Sequence, residues 1–234
     1  MKRESMFLGG KFFLILSLVL SLSFLQAQKS IDTKDYEQAQ DVLNRYTLKR
    51  SLPRLQVKSS LSIYEYMFDH LDFVAKVVRF LELGTYQIRL ERGDFFELDD
   101  QKGLVTTFRL IYHRQEMRVY LSQGVFQAPF NLKVAACGLI VVRYKPTTFG
   151  EVDSRATVFA KIENQILDRF SKMMSEFVGK MMEERSMVFV SASKTIAELV
   201  KADALGLYDQ LEASGQFTKE ELESYSKAFL QTSF

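Results

Sequence analysis

The stretch that most limits what this chain can become runs from about Glu163 to Val200. Ile166, Phe170, Met173, Met174, Phe177 and Met181 recur every three or four residues, while Asp168, Arg169, Lys172, Glu176 and Lys180 fill much of the other side. That spacing gathers the apolar groups on one face of a helix. No proline interrupts it. Val188, Ala192, Ile196 and Leu199 extend an apolar stripe past Glu183-Glu184-Arg185, either in one long helix or after a bend. At about 1.5 Å per residue such a helix crosses a whole small domain. A rod with one apolar side needs a surface to lie on.

The residues ahead of the rod supply one. From Thr85 the period drops to two: Tyr86, Ile88 and Leu90 alternate with Gln87, Arg89 and Glu91, and Gly93-Asp94 turns the chain into Phe95-Phe96-Glu97-Leu98. Phe108, Leu110 and Tyr112 alternate with Thr107, Arg109 and His113, and Met117, Val119 and Leu121 alternate with Arg118 and Tyr120. These patterns predict antiparallel strands with the apolar set turned inward. Val134 to Tyr144 is apolar on both parities, which predicts a central strand covered on both sides, a partner subunit being one source of cover. Ala156, Val158, Ala160 and Ile162 form a last strand running into the rod.

Before the sheet, Pro53 precedes a short strand at Leu55 and Val57, and Tyr66 to Leu83 keeps helical spacing up to Gly84. Residues 28–52 form a polar lead-in with a weak helical pattern, expected to be loosely attached. Beyond the rod, Leu205, Leu207, Tyr208 and Leu211 suggest a helical turn ending at Gly215, and Thr218 with Glu221 forms a capping box for another helix. The tail 201–234 is expected to be a peripheral brace. The order of elements over 53–200 predicts an α+β domain in which a curved antiparallel sheet wraps a long C-terminal helix.

Lys2, Arg3 and Lys11 precede an apolar and serine run from Phe12 to Leu25, the pattern of a secretory signal. The run is short for a spanning helix. Cleavage after Ala27 would remove residues 1–27, and retention of the segment would leave a membrane anchor. The expected destination is periplasmic or extracellular. Without residues 1–27 the formal charges balance, which argues against a nucleic-acid partner, since phosphate contacts need a basic surplus. The chain's one cysteine, Cys137, lies within Val134-Ala135-Ala136-Cys137-Gly138-Leu139-Ile140 and reads as a small buried apolar residue.

In this order, strand, helical segment, six strands and long C-terminal helix, the chain resembles the START-like and birch-allergen-like helix-grip superfamily. The resemblance covers roughly Pro53 to Val200 and rests on order and spacing. It implies a cavity between concave sheet and helix that holds a lipid or other hydrophobic molecule. On that basis the expected ligand-binding positions are Tyr86, Ile88, Phe108, Leu110, Tyr112, Val119 and Leu121 from the sheet, with Phe170, Met173, Met174, Phe177 and Met181 from the helix. Taken singly, each is an ordinary core residue; methionines would adapt such a wall to irregular shapes.

No motif of a known chemistry occurs. There is no Gly-x-Ser-x-Gly elbow, phosphate loop, His-Glu-x-x-His or Cys-x-x-Cys, and nothing calls for a cofactor or metal. His113-Arg114-Gln115-Glu116 offers a base beside a carboxylate but reads as a solvated turn, and Asp99-Asp100 reads as turn residues bonding backbone amides. The expectation is an exported, non-enzymatic binder of a hydrophobic molecule. The rivals are an envelope interaction protein with a solid core, engaging a partner through its tail, and a cyclase- or hydrolase-type enzyme.

Overall fold

The computed structural model describes residues 32–114, 116–128, 132–162 and 171–231. Helix α1 (Thr33–Arg45) leads into two short strands, β1 (Leu48–Ser51) and β2 (Leu55–Val57), followed by helices α2 (Leu61–Asp69) and α3 (Leu71–Phe80). Six strands come next: β3 (Gln87–Arg92), β4 (Phe95–Asp99), β5 (Leu104–Arg114), β6 (Met117–Ala128), β7 (Leu132–Pro146) and β8 (Val152–Ile162). Helices α4 (Ser171–Ser214) and α5 (Lys219–Phe229) follow. All eight strands form one antiparallel sheet in the order β1-β8-β7-β6-β5-β4-β3, with β2 also paired to β8. The architecture is α+β, a curved antiparallel sheet gripping a long C-terminal helix.

The bend has local causes. A Cβ on Gly124 would lie 2.6 Å from the Val105 carbonyl oxygen and 2.6 Å from the Thr106 Cβ, and one on Gly138 would lie 2.7 Å from the Ser122 Oγ. The strands approach more closely there than any side chain permits, which is where sheets coil. Register shifts between Leu110 and Tyr112 in β5, and between Leu90 and Arg92 in β3, add bulges that increase the twist.

Helices α2 to α4 lie on the concave side with α5 packed against them, and α1 lies on the convex face. Val42 of α1 is fully buried in a cluster with Leu121, Cys137 and Leu139. Three polar contacts fix α1 in place: an Asp35–Arg109 ion pair, Lys161 Nζ to Asp41 at 2.5 Å, and Gln38 Nε2 to the Cys137 Sγ at 3.4 Å. The both-sided apolarity of β7 thus has its cover within this chain.

Several expectations shift. The lead-in is packed rather than loose, and the sheet includes β1, so a boundary at residue 53 falls inside the sheet. A boundary at 201 falls inside α4, and the tail is not peripheral: Leu207, Leu211, Phe217, Leu222 and Tyr225 share one core with Tyr64, Met67 and Val74. The helix expected over Tyr66 to Leu83 is two, broken at His70 (φ −129°, ψ 54°). Both halves carry helical spacing, so periodicity alone conceals the break. Helix α4 leaves helical geometry at Asp203 (φ −155°, ψ 77°), whose Oδ1 accepts from the Gly206 N at 2.8 Å and caps the next turns. Gly215 ends it at φ 64°, and α5 starts with the Thr218–Glu221 capping box. Among the described residues no helix is long and apolar enough to cross a membrane.

Candidate functional site

Between the concave face and the turns of α4 around residues 178–190 lies a cavity of about 360 Å³. Its floor is short: Ser122 and Gly124 from β6, Ala136 and Gly138 from β7, and Ala160 from β8. Register places Ser122 opposite Gly138, Gly138 opposite Ala160, and Gly124 opposite Ala136, so the small groups adjoin across three strands. Such residues cannot reach a helix packed about 10 Å away, and space is left. Above the floor stand Val178, Met181, Met182, Val188 and Phe189 of α4; Phe68, Leu71 and Tyr86 form one wall.

Of the positions expected to bind a guest, Tyr86, Ile88, Phe108 and Met181 line this cavity. Leu110 packs against the neighbouring core without bordering the cavity. Tyr112, Val119 and Leu121 require correction. The bulge at Ile111 shifts the parity of β5, so Tyr112 pairs with Val119, and both lie on the convex side with Leu121. The inward set of β6 is Arg118, Tyr120, Ser122, Gly124 and Phe126. The apolar parity of that strand serves the convex cluster, which is itself covered over part of its area. Phe170, and the side chains of Met173, Met174 and Phe177, lie outside the described residues.

Charged groups border the cavity at one rim. The Asp100 Oδ1 accepts from the Lys102 and Leu104 amides, each at 2.8 Å, and its Oδ2 lies 2.8 Å from the Arg185 Nη1. Arg185 also donates to the Lys102 carbonyl at 2.9 Å, tying α4 to the β4–β5 turn. Asp99 accepts from the Gln101 amide at 2.8 Å, so the acid pair is spent on turn and latch. The Tyr86 hydroxyl is buried with no hydrogen-bond partner among the described residues, and burial raises its pKa, the Arg79 charge acting in the opposite direction.

Beside the cavity, under α2, is a polar knot that the alternation of β6 hid. Arg118, 1% exposed, bonds Asp69 at 2.9 and 3.3 Å, lies 3.8 Å from Glu65, and donates to the Tyr144 hydroxyl. Tyr144 donates to Glu65 at 3.1 Å, and Tyr64 donates to Ser154 at 2.8 Å. Burial pushes the Tyr64 hydroxyl up to about 12, the Ser154 bond offsetting part of that rise, and burial also raises Tyr120 and Tyr144. The knot anchors α2 to the sheet. His113 and Glu116 are exposed on the β5–β6 hairpin outside the cavity, and His70 is stacked on Tyr66 at 3.9 Å. Among the described residues no His, Cys, Asp and Glu group is placed to hold a metal ion.

No protein-family model matches the chain, and no curated protein matches it. Solved structures of similar form include a conserved protein from Geobacillus kaustophilus (11% identity, 64% of this chain and 95% of that one, TM-score 0.48). A hypothetical protein from Helicobacter pylori has 9% identity, covers 65% of this chain and 89% of its own, and scores 0.44. A START superfamily protein from Mycobacterium smegmatis has 9% identity, covers 65% and 98%, and scores 0.43. At these levels the likeness concerns fold alone, and the helix-grip architecture stands on this chain's own strand order and helix placement.

Proposed function

We propose that this protein is an exported carrier that holds a hydrophobic small molecule or lipid between its sheet and α4 without changing it. The observation that carries the reading is the cavity of about 360 Å³ over a floor of Ser122, Gly124, Ala136, Gly138 and Ala160. Apolar walls around open volume favour an apolar guest, at roughly 25 cal/mol per Å² removed from water. The rim charges Asp100 and Arg185 form an ion pair at 2.8 Å, and the Tyr86 hydroxyl, buried without a hydrogen-bond partner among the described residues, is a polar group able to orient a guest's oxygen. Export rests on Lys2, Arg3 and Lys11 ahead of Phe12 to Leu25.

Gentle purification followed by native mass spectrometry and solvent extraction tests the reading. The expected result is a retained apolar molecule, lost or depleted in Ala136→Leu while that variant stays folded. An unoccupied cavity that also takes up no hydrophobic dye overturns the carrier reading and favours an interaction protein.

A further inference from the structure

The convex face is divided. Helix α1 covers the half around Leu121, Cys137 and Leu139, and its last contacts reach Phe159 and Lys161. Among the described residues no helix covers the half toward the β7–β8 connection, and the row of side chains across it is basic, the nearest acids on the adjoining turns being Glu116 and Glu151. One row across the sheet there, read from the strand register, is Arg114, Met117, Arg143 and Arg155. All three arginines are exposed.

Arg143 and Arg155 are direct cross-strand partners, an arrangement in which like charges repel. Among the described residues no carboxylate forms an ion pair with either, or with Arg114, which lies over the Tyr112 ring. The acid one step along the face, Asp153, is taken by Arg54 at 2.5 Å. A chain with 31 basic and 29 acidic residues has no general excess to explain such a row. Beyond it, the β7–β8 connection is Thr147-Thr148-Phe149-Gly150-Glu151, where Phe149 is 88% exposed. A large apolar ring held in water at a hairpin tip, three register positions and a turn beyond arginines with no ion-pair partner among the described residues, matches the two layers of a bilayer interface.

We propose that this end of the convex face docks on an anionic phospholipid surface, with the Phe149 ring entering the interface and Arg114, Arg143 and Arg155 meeting the headgroup phosphates. The row supplies charge and the tip supplies an apolar wedge; a nucleic acid would use the first and leave the second in water. The proposal is independent of the cavity, so an empty cavity leaves it standing.

The chain contains no tryptophan, so Phe149→Trp introduces a single reporter. The full chain carrying this change is titrated with vesicles of phosphatidylcholine, with and without phosphatidylglycerol. The expected result is a blue shift and enhanced emission with the anionic vesicles only. Adding Arg143→Gln and Arg155→Gln should weaken the response by about twenty-five-fold, taking roughly fivefold for each arginine. Adhesion through the N-terminal apolar run alone would hold protein on both vesicle types without shifting the indole. An equal response to both vesicle types, or one that survives the double change, overturns the proposal. So does inorganic phosphate that abolishes the response at constant ionic strength, since that marks an ion site. Binding of the arginine row to a single-stranded oligonucleotide in preference to the vesicles overturns it as well. Melting followed by far-ultraviolet circular dichroism checks the premise. The Arg143→Gln, Arg155→Gln protein should be at least as heat-stable as the parent, and a clear loss of stability would show that the arginines have structural partners.

Discussion

The same helix runs through both ends of the molecule, over the sheet at one and against three other helices at the other, yet one end is hollow and the other is packed. Around residues 178–190, α4 faces Ser122, Gly124, Ala136, Gly138 and Ala160, and a cavity remains. From Val190 onward it meets α2, α3 and α5 in a core crowded with Tyr64, Phe68, Phe73, Tyr144 and Tyr225. The rings there interlock, Phe68 stacked on Tyr144 at 5.9 Å and Tyr225 edge-on to Phe229 at 4.9 Å. The difference comes from what the helix faces, short strand residues at one end and helices rich in aromatic rings at the other. A hollow can be placed in a grip fold by choosing short residues on two or three neighbouring strands, while the other end supplies the stability.

Truncation on each side of this divide gives the largest expected contrast. Leu211→Ala in the packed end should cost about 4 kcal/mol, because a fully buried leucine leaves a void that its neighbours cannot fill. Met181→Ala, on the same helix above the cavity, should cost about 2 kcal/mol, since that side chain already lacks partners on one side. Urea unfolding measures both, and equal losses would erase the distinction.

Alkaline titration probes the packed end next. The Tyr64 hydroxyl is kept neutral by burial, with its pKa pushed up to about 12 from an ordinary value of 10.0. Its contribution is complete below pH 10.0, where both folded and unfolded chains are protonated. Above that point the unfolded chain ionises first, and stability falls until Tyr64 itself ionises. The loss is on the order of 3 kcal/mol for this one residue. Tyr120, Tyr144 and Tyr225 are raised in the same direction by burial and should steepen the decline. In Tyr64→Phe the dependence should be shallower above pH 10.0; an unchanged slope would remove Tyr64 from the account.

Enlarging small residues gives the least effect and the sharpest localisation. Ala197→Leu, in a fully buried position of the packed end, should cost about 2 kcal/mol by overpacking. Ala136→Leu, on the cavity floor, should change stability by less than about 1 kcal/mol while reducing the retained guest. Thermal melts of the two variants side by side show whether the free volume lies where the geometry places it.

The sequence made the succession of elements readable, together with the Thr218–Glu221 cap, because these are local events governed by period and by a few backbone-bonding side chains. Which face each strand turns inward was less accessible. On β3 the apolar parity points to the concave side, and Tyr86 and Ile88 could be assigned from alternation. On β6 the reverse holds: Val119 and Leu121 are apolar because the convex face is itself partly covered, while Arg118 points inward and is neutralised by Asp69 and Glu65. Alternation identifies two faces without saying which is the core. One missed signal was within reach: Gly124 and Gly138 interrupt long strands, and a glycine inside a strand pattern marks a bend or a close backbone approach. The fastening of α1 and the sharing of one core by α5 depend on contacts distant in sequence, such as Lys161 to Asp41 and Lys76 to Glu221, which no local pattern announces.

The sheet never closes, so it has two borders, and each is spoiled as a template. Along β3 the border carries Arg89, Glu91 and Arg92 with a bulge between Leu90 and Arg92. On the opposite side β1 and β2 are short lengths separated by Leu52-Pro53-Arg54, and proline offers no amide hydrogen. Neither border presents an unbroken ladder to a passing chain. Among the described residues, a molecule built around an opening in its own interior thus offers poor templates at both rims for edge-to-edge pairing with another copy.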